Sequence, residues 1–384
     1  MKILLLAGEE SGMMYRERIA AKVGGLCPGA EIRGYGDYGF NTGDLAVMGI
    51  LAVLRRIFFF MRVRRTMERA IDEWRPDVVC TVDYPGMNLR LAAYAKARGI
   101  RTVHVVCPQV WAWKRGRIPK IEAALDRLCC FFPFEPALFR PGFAEFVGHP
   151  LALEMAKEWA ERCGEETVRG EPGGKLLAVL PGSRIGEIRH HMPTLLAAVS
   201  LLSGEVAGLR IVIPAANERA RAAIVAQIER FRKNGHGDGR AAVAETVSVR
   251  DGGARKLLRT ADAAVVASGT ATLEAALAGC PTVLVYKVDP VFAFIARRVI
   301  TGVRHIGLAN IIAEKSGAPC PMPELLQEDF TAEAVAERLK AWLTDKAANA
   351  AARAALADAT GLLRAEGDPV STIARTLCKE ERRC

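Results

Sequence analysis

The sequence predicts an α/β protein of two Rossmann-like domains facing each other across a cleft, with closing helices at its C-terminus. Three observations carry this reading. The chain has 384 residues, 51% of them hydrophobic, which is more than one ordinary domain needs and enough to fill two cores. Short apolar runs alternate with helix-spaced segments in two separate series. Between the series, Glu161–Gly174 is rich in Glu, Gly and Arg and contains Pro172, the composition of a solvated connection.

The first series opens with a strand at Lys2–Ala7 and a helix near Arg16–Val23, followed by strands at Asp77–Val82, Thr102–Val106 and Leu128–Phe132. Gly148-His149-Pro150 follows the last strand of this half. The second series starts at Lys175–Leu180 and runs through Leu209–Pro214, Asp262–Ala267 and Thr282–Tyr286, each with a helical segment behind it. Both rhythms are those of βαβ units around a parallel sheet. The Ala-rich tail Thr331–Cys384 keeps helical spacing without a strand signal. Residues 1–160 are expected to form the N-terminal domain, 161–174 the connection and 175–365 the C-terminal domain, with 366–384 a last helix able to pack back on the first. Ligands of such folds sit outside the carboxyl ends of the strands, so chemistry is expected on strand-to-helix loops.

A formal net charge of +10 calls for an acidic partner: nucleic acid, anionic lipid or a phosphorylated substrate. The chain has no basic stripe interleaved with aromatics and no helix-turn-helix, RNA-recognition or zinc-finger pattern, which ranks nucleic acid last. Its ten cysteines are scattered, with Cys129 and Cys130 adjacent and no C-x-x-C pair. Reduced, mostly buried thiols and no metal site are expected. MKILLLAGEESG lacks the long apolar region and cleavage site of a signal peptide, so a buried first strand and a cytoplasmic protein are expected. No run of about 18 apolar residues suggests a transmembrane helix.

Two loops of the second half suit phosphate. Leu180-Pro181-Gly182-Ser183-Arg184 follows a strand and precedes the apolar-spaced helix Ile185–Ser203. Backbone amides at a helix start favour an anion, and Arg184 adds a fixed charge with forked donors. Taken alone, the loop also reads as a turn with an exposed arginine. The run Ala263–Ala267 ends in Ser268-Gly269-Thr270, and the helix behind it carries Glu274. Glu274 can accept from both hydroxyls of a ribose, or merely favour the positive helix end. Two such loops in one domain favour a nucleotide.

In the first half, Gly8-Glu9-Glu10-Ser11-Gly12 reads as a tight turn close to a ligand or as a plain strand-to-helix turn. Asp83, within Val82-Asp83-Tyr84-Pro85-Gly86-Met87-Asn88, is the best-placed general base for an attacking hydroxyl, or else a cap or turn residue. Trp111 and Trp113, after Gln109, have the size to fill an interdomain groove. His149 is a lone histidine, and the His190-His191 pair shows no metal spacing. The segment ILAVLRRIFFFMRVRR, Ile50–Arg65, is too short and too charged to span a bilayer. At about 100° per residue, Ile50, Leu54, Ile57, Phe58 and Met61 share a face flanked by Arg55, Arg56 and Arg62, with Phe59 pointing elsewhere. This suits a helix lying in an anionic interface, and equally a core-facing helix.

GEESG, LAVMG, VDYPGMN, PQVWAW, FPFE, VGHPL, LPGSR, ASGTATLE, Asn310 and PELLQ together resemble the lipid-A-disaccharide synthases in order and spacing, over nearly the whole chain. The resemblance implies an inverting, metal-independent glycosyltransferase of the GT-B type, with no cofactor. It would join UDP-2,3-diacylglucosamine to 2,3-diacylglucosamine 1-phosphate and release UDP, in Gram-negative lipid A biosynthesis, peripherally bound to the inner membrane. The family's proposed base falls on Asp83, its phosphate-region arginine on Arg184 and its functional asparagine on Asn310. The donor is expected on Gly182, Ser183, Arg184, Ser268, Gly269, Thr270 and Glu274. The acceptor is expected on Glu9, Ser11, Gly12, Asn88, Gln109, Trp111, Trp113 and His149, and the membrane on Leu54, Ile57, Phe58, Met61, Arg55, Arg56 and Arg62. The resemblance admits a homodimer, which no residue pattern here establishes.

Three departures fall in the acceptor half. Met13 follows Ser11-Gly12 where the family has Asp, Gly86 stands where it has a second acid, and the segment around Gly34–Asp44 is shortened. They leave two other readings: a catalytically impaired, membrane-associated nucleotide-binding homologue, or another UDP-sugar enzyme of this architecture such as a 2-epimerase. The retained Asp83, Arg184, Glu274 and Asn310 oppose the first. The WAW segment and the Phe-rich helix oppose the second.

Overall fold

The computed structural model of the chain describes residues 1–8, 10–41, 45, 56–161, 174–233, 246–289, 298 and 302–379, the side chains of Glu10 and Ser11 excepted. Two compact units divide it: Met1–Leu153 with Leu363–Cys384, and Glu154–Leu362. The first division lies inside the helix Pro150–Glu161, ahead of the connection expected at 161–174, and the second lies ahead of the expected 366.

The first unit holds β1 (Lys2–Ala7), β2 (Glu31–Arg33), β3 (Val78–Val82), β4 (Arg101–Val105), β5 (Arg127–Cys130) and β6 (Ala144–Phe146) in the order β2-β1-β3-β4-β5-β6, every pairing parallel. Parallel neighbours require crossovers, and the helices Glu10–Leu26, Ile57–Trp74, Pro85–Lys96 and Ile118–Ala124 lie in four of the connections. Because helices cover both faces, β1 reads as a continuous apolar run whose side chains divide between two layers. Ile3, Leu5 and Ala7 pack with Ile19 and Val23 and with Val370, Ile373, Ala374 and Leu377 of the last helix, Pro369–Cys378. Leu4 and Leu6 pack with Val63, Met67, Ile71 and Trp74.

The second unit repeats the scheme with β7 (Lys175–Leu180), β8 (Leu209–Ala215), β9 (Val247–Asp251), β10 (Ala263–Ala267), β11 (Thr282–Tyr286) and β12 (Glu324–Leu326), parallel in the order β12-β11-β10-β7-β8-β9. The α/β architecture of two parallel sheets is the one the sequence predicts. The strands β2, β9 and β12 carry no long apolar run because they lie at sheet edges, with most side chains half-buried or exposed. The tail is helical, as expected, over Ala332–Thr344, Lys346–Gly361 and Pro369–Cys378.

Strand order reverses once in each sheet, between β1 and β3 in the first and between β7 and β10 in the second. Chain leaves the two strands in opposite directions there, which opens a crevice beyond their carboxyl ends.

Candidate active site

At the second unit's switch point, β7 runs into Pro181-Gly182-Ser183-Arg184 beside β10 running into Ser268-Gly269-Thr270. Gly182 has φ +111°, and a Cβ there would lie 2.6 Å from Glu187 Oε2, so glycine is required. Arg184 is the N-cap of the helix Ile185–Glu205 and donates from Nη1 to Glu187 Oε1 at 2.9 Å, with 61% of its side chain exposed. Ser183 is exposed next to it. Gly269 opens the helix Thr270–Leu277, and the Thr272 hydroxyl donates back to its carbonyl at 2.7 Å. Two helix starts thus lie side by side at one switch point, and the positive end of a helix suits an anion.

Two further side chains hold these loops. His191 is buried, with Nδ1 at 2.8 Å from the Pro181 carbonyl and Nε2 accepting from the Lys287 amide at 3.1 Å. A nitrogen that accepts from an amide carries no proton, so the ring is neutral with its hydrogen on Nδ1. Burial, which pushes the His191 pKa down, agrees. Arg255 donates from Nε to Glu274 Oε1 at 2.8 Å and from Nη1 to Glu154 Oε1 at 2.7 Å. The planar fork fixes the Glu274 carboxylate, whose Oε2 accepts no hydrogen bond among the described residues. A cavity of about 350 Å³ elsewhere in this unit, lined in part by Arg210, Ser248, Arg250 and Lys256, takes in none of these loops.

At the first unit's switch point, Asp83 and Tyr84 are consecutive left-handed residues, with φ 50° and 51°. Such positions cost about 1 to 3 kcal/mol each unless their surroundings enforce them. Asn88 does so. Fully buried, it donates from Nδ2 to the carbonyls of Val82 (3.1 Å) and Asp83 (2.7 Å), while Oδ1 accepts from Tyr35 OH at 2.8 Å. Asp83 Oδ1 accepts from the Tyr84 amide at 2.8 Å. Burial raises the Asp83 pKa above its ordinary value, and that amide pulls it partly back. The Tyr84 ring lies over Gly8, where a Cβ would approach Cδ1 to 2.5 Å. Gly12 is buried against Ala7 and Val82. Met13 packs against the layer of β1 and β3, which explains an apolar residue there, whereas Gly86 is exposed with open space around a Cβ.

Several residues expected at the site are buried and hydrogen-bonded to neighbouring groups. Asn88 holds the Asp83 loop, as above. Trp111 is buried, with its ring edge-on to Phe132 and Phe134, and donates to Glu135 Oε1 at 3.0 Å. Glu135, whose pKa burial pushes up to about 8, also accepts from the Phe132 amide and lies within 4.8 Å of the Cys107 and Cys130 sulfurs. His149 packs on Phe131 and Phe132, accepts from the Leu151 amide at 3.2 Å and is driven by burial down to about 4, a neutral cap. Asn310 is fully buried; its amide donates to Met322 O and Glu324 Oε1, both at 2.7 Å, and accepts from Met322 N at 2.9 Å. Gln109 is exposed, and Trp113 is half-buried beneath Lys114. Glu9 and the Ser11 side chain lie outside the described residues.

The helix Ile57–Trp74 buries Val63, Met67, Ala70, Ile71 and Trp74 on one side. On the other, Ile57, Phe58 and Met61 are 45%, 80% and 42% exposed. Phe59 leaves this stripe because it packs edge-on against Phe40, with the Arg56 and Arg62 guanidinium groups over its ring. Leu54 and Arg55 lie outside the described residues. No helix among the described residues is long and apolar enough to cross a membrane.

Two parallel six-stranded units, each with one switch point and polar strand-to-helix loops beside it, give the fold of the GT-B class. Solved structures of this fold include the S. aureus MnaA–UDP complex (TM-score 0.58, 13% identity, covering 98% of this chain and 95% of that one). Others are the Neisseria meningitidis UDP-GlcNAc 2-epimerase bound to UDP-GlcNAc (0.57, 11%, 99% and 100%) and the calicheamicin glycosyltransferase CalG4 (0.55, 17%, 98% and 97%). Those identities speak for fold alone.

The family model described as lipid-A-disaccharide synthetase matches residues 3–366. Lipid-A-disaccharide synthases of Chromohalobacter salexigens (36% identical, covering 90% of this chain and 89% of that one), Xylella fastidiosa strain 9a5c (38%, 89% and 88%) and Neisseria meningitidis strain Z2491 (36%, 88% and 88%) align along nearly its full length. The chain belongs to the lipid-A-disaccharide synthase family and is a glycosyltransferase of lipid A biosynthesis. The 2-epimerase reading rests on fold likeness only, and the impaired-homologue reading is not favoured.

Proposed function

We propose that the chain condenses UDP-2,3-diacylglucosamine with 2,3-diacylglucosamine 1-phosphate, with inversion at the anomeric carbon, to give lipid A disaccharide 1-phosphate and UDP. The observation that supports this donor most directly is the convergence of Arg184, two helix starts and an Arg255-oriented Glu274 at one switch point. Asp83 takes the proton of the acceptor 6-hydroxyl as its oxygen attacks C1, and the bond from C1 to the diphosphate breaks on the opposite face. Arg184 and the helix amides meet the charge that develops on the departing UDP, so the reading needs no metal. Incubating the protein with both lipids in detergent micelles, followed by mass spectrometry, tests it; absence of both disaccharide and UDP would overturn it.

Two expectations follow from the positioning groups and the exposed stripe. Arg255→Ala frees Glu274, and losing such a charge-assisted hydrogen bond, worth about 1.5 to 3 kcal/mol, should weaken UDP binding by up to roughly ten- to a hundredfold in calorimetry. Unchanged affinity would separate Arg255 from the nucleotide. Diacylated substrates reside in a bilayer, so the Ile57, Phe58 and Met61 stripe with its arginines is assigned to the cytoplasmic face of the inner membrane. Phe58→Glu with Met61→Glu should reduce flotation with anionic liposomes several-fold. Equal flotation would return the stripe to ordinary surface.

A further inference from the structure

Outside the donor crevice, three side chains of the second unit converge in the order nucleophile, base, orienting acid. Cys320 Sγ lies 3.1 Å from His305 Nε2, and His305 Nδ1 lies 3.5 Å from Glu324 Oε1. Glu324 also accepts from the amides of Ile306 and Gly307, both at 3.0 Å, and from Asn310 Nδ2 at 2.7 Å. A ring that carries its proton on Nδ1, beside Glu324, turns its Nε2 lone pair to the thiol. Five of the other described cysteines are buried, whereas Cys320 is exposed. A thiol, a base within hydrogen-bond reach and a third group orienting that base form the arrangement that activates a nucleophile.

We propose that Cys320 is a covalent modification site, primed by His305 for exchange with small-molecule disulfides, and that the adduct loosens the loop held by Asn310. In the exchange, Cys320 Sγ attacks one sulfur of the disulfide while its proton passes to His305 Nε2. The old S–S bond breaks, a new one joins Cys320 to the attacked sulfur, and the other sulfur leaves as a thiolate. The incoming disulfide is the only oxidant. Partial burial, and after it the negative charge of Glu314 and Glu324, raise the Cys320 pKa; Arg304 lies 3.9 Å from Glu314. A standing thiolate is therefore disfavoured, which makes the base essential to reactivity. The effect on the loop has a short path. Cys320 Sγ is 3.8 Å from the Asn310 carbonyl, and Met322, two residues on, is the residue that both ends of the Asn310 amide clamp. Only this second part rests on the proposed transferase function.

The test treats the full chain with the aromatic disulfide 5,5′-dithiobis(2-nitrobenzoate), following each cysteine by peptide mass spectrometry. Cys320 should be among the first thiols labelled, and His305→Ala should slow it about tenfold or more at neutral pH. His305→Gln, which retains a donor toward Glu324, should be equally slow and guards against a folding defect. Labelling at the wild-type rate in both variants, or a Cys320 that stays unlabelled, overturns the site. Cys320→Ser should retain disaccharide synthesis and withstand the reagent, while the treated wild type loses activity that dithiothreitol restores. Equal inhibition of Cys320→Ser and wild type overturns the effect on the loop. If no protein makes disaccharide, the transferase reading fails while the labelling arm still decides the thiol.

Discussion

Asp83→Asn is expected to lower turnover about 10²- to 10⁴-fold, the usual contribution of a general base, while leaving UDP affinity almost unchanged. The substitution is local by design. Asn tolerates the left-handed conformation that position 83 requires, and its amide oxygen can still accept from the Tyr84 N–H. What disappears is the capacity to take a proton. The pH profile supplies an independent reading, because burial raises the Asp83 pKa and only the ionised form is a base. Wild-type kcat/KM should therefore fall as pH drops through a value above the ordinary Asp range near about 3.9, and the residual activity of the variant should lack that acid limb. Normal turnover by Asp83→Asn would dismiss the assignment.

Arg184→Ala should cost about 10²- to 10³-fold in kcat, as removal of a preorganised donor from developing charge commonly does. It should also weaken UDP binding. The Glu187 carboxylate, 2.9 Å from the guanidinium in the wild type, would remain beside the diphosphate without its partner. Part of the loss should accordingly be repulsion, and Arg184→Ala with Glu187→Gln should recover some of the affinity. Arg184→Lys keeps the charge but not the planar fork, and belongs between wild type and Ala. Stopped assays for kcat and calorimetry with UDP check both quantities; if neither changes, Arg184 has no part in the donor site.

What could be read in advance follows from where each residue gets its partners. β1, β3, β7 and β10 are covered on both faces, so each is a mostly apolar run, broken in β3 by Thr81, and the polar loop behind each stands out. The positions of Asp83, Arg184 and Ser268-Gly269-Thr270 behind strands are legible for that reason. Glu187 has a signal in the sequence: an acid three residues after the helix N-cap. His191 and Arg255 had none, since their partners lie up to 96 and 101 residues away in sequence. Asn88, Trp111 and Asn310 fall in motifs of the sequence, but spacing cannot tell a side chain that touches a ligand from one that fastens backbone. Asn310 stands out in the sequence through the resemblance alone, and its three hydrogen bonds to Met322 and Glu324 have no signal there.

The return of Leu363–Cys384 to the first unit also has a consequence in time. Val370, Ile373, Ala374 and Leu377 complete an apolar layer whose other members are made at the start of translation. Roughly 210 residues separate the two parts, and at about 5 to 20 residues per second the ribosome needs on the order of 10 to 40 s to bridge them. For that interval the nascent first unit exposes a greasy flank beside β1 and β3, while the second unit can already fold behind it. A chain stopped at Leu362 would never cover that flank, so premature termination even this late should yield aggregates and no partly active enzyme.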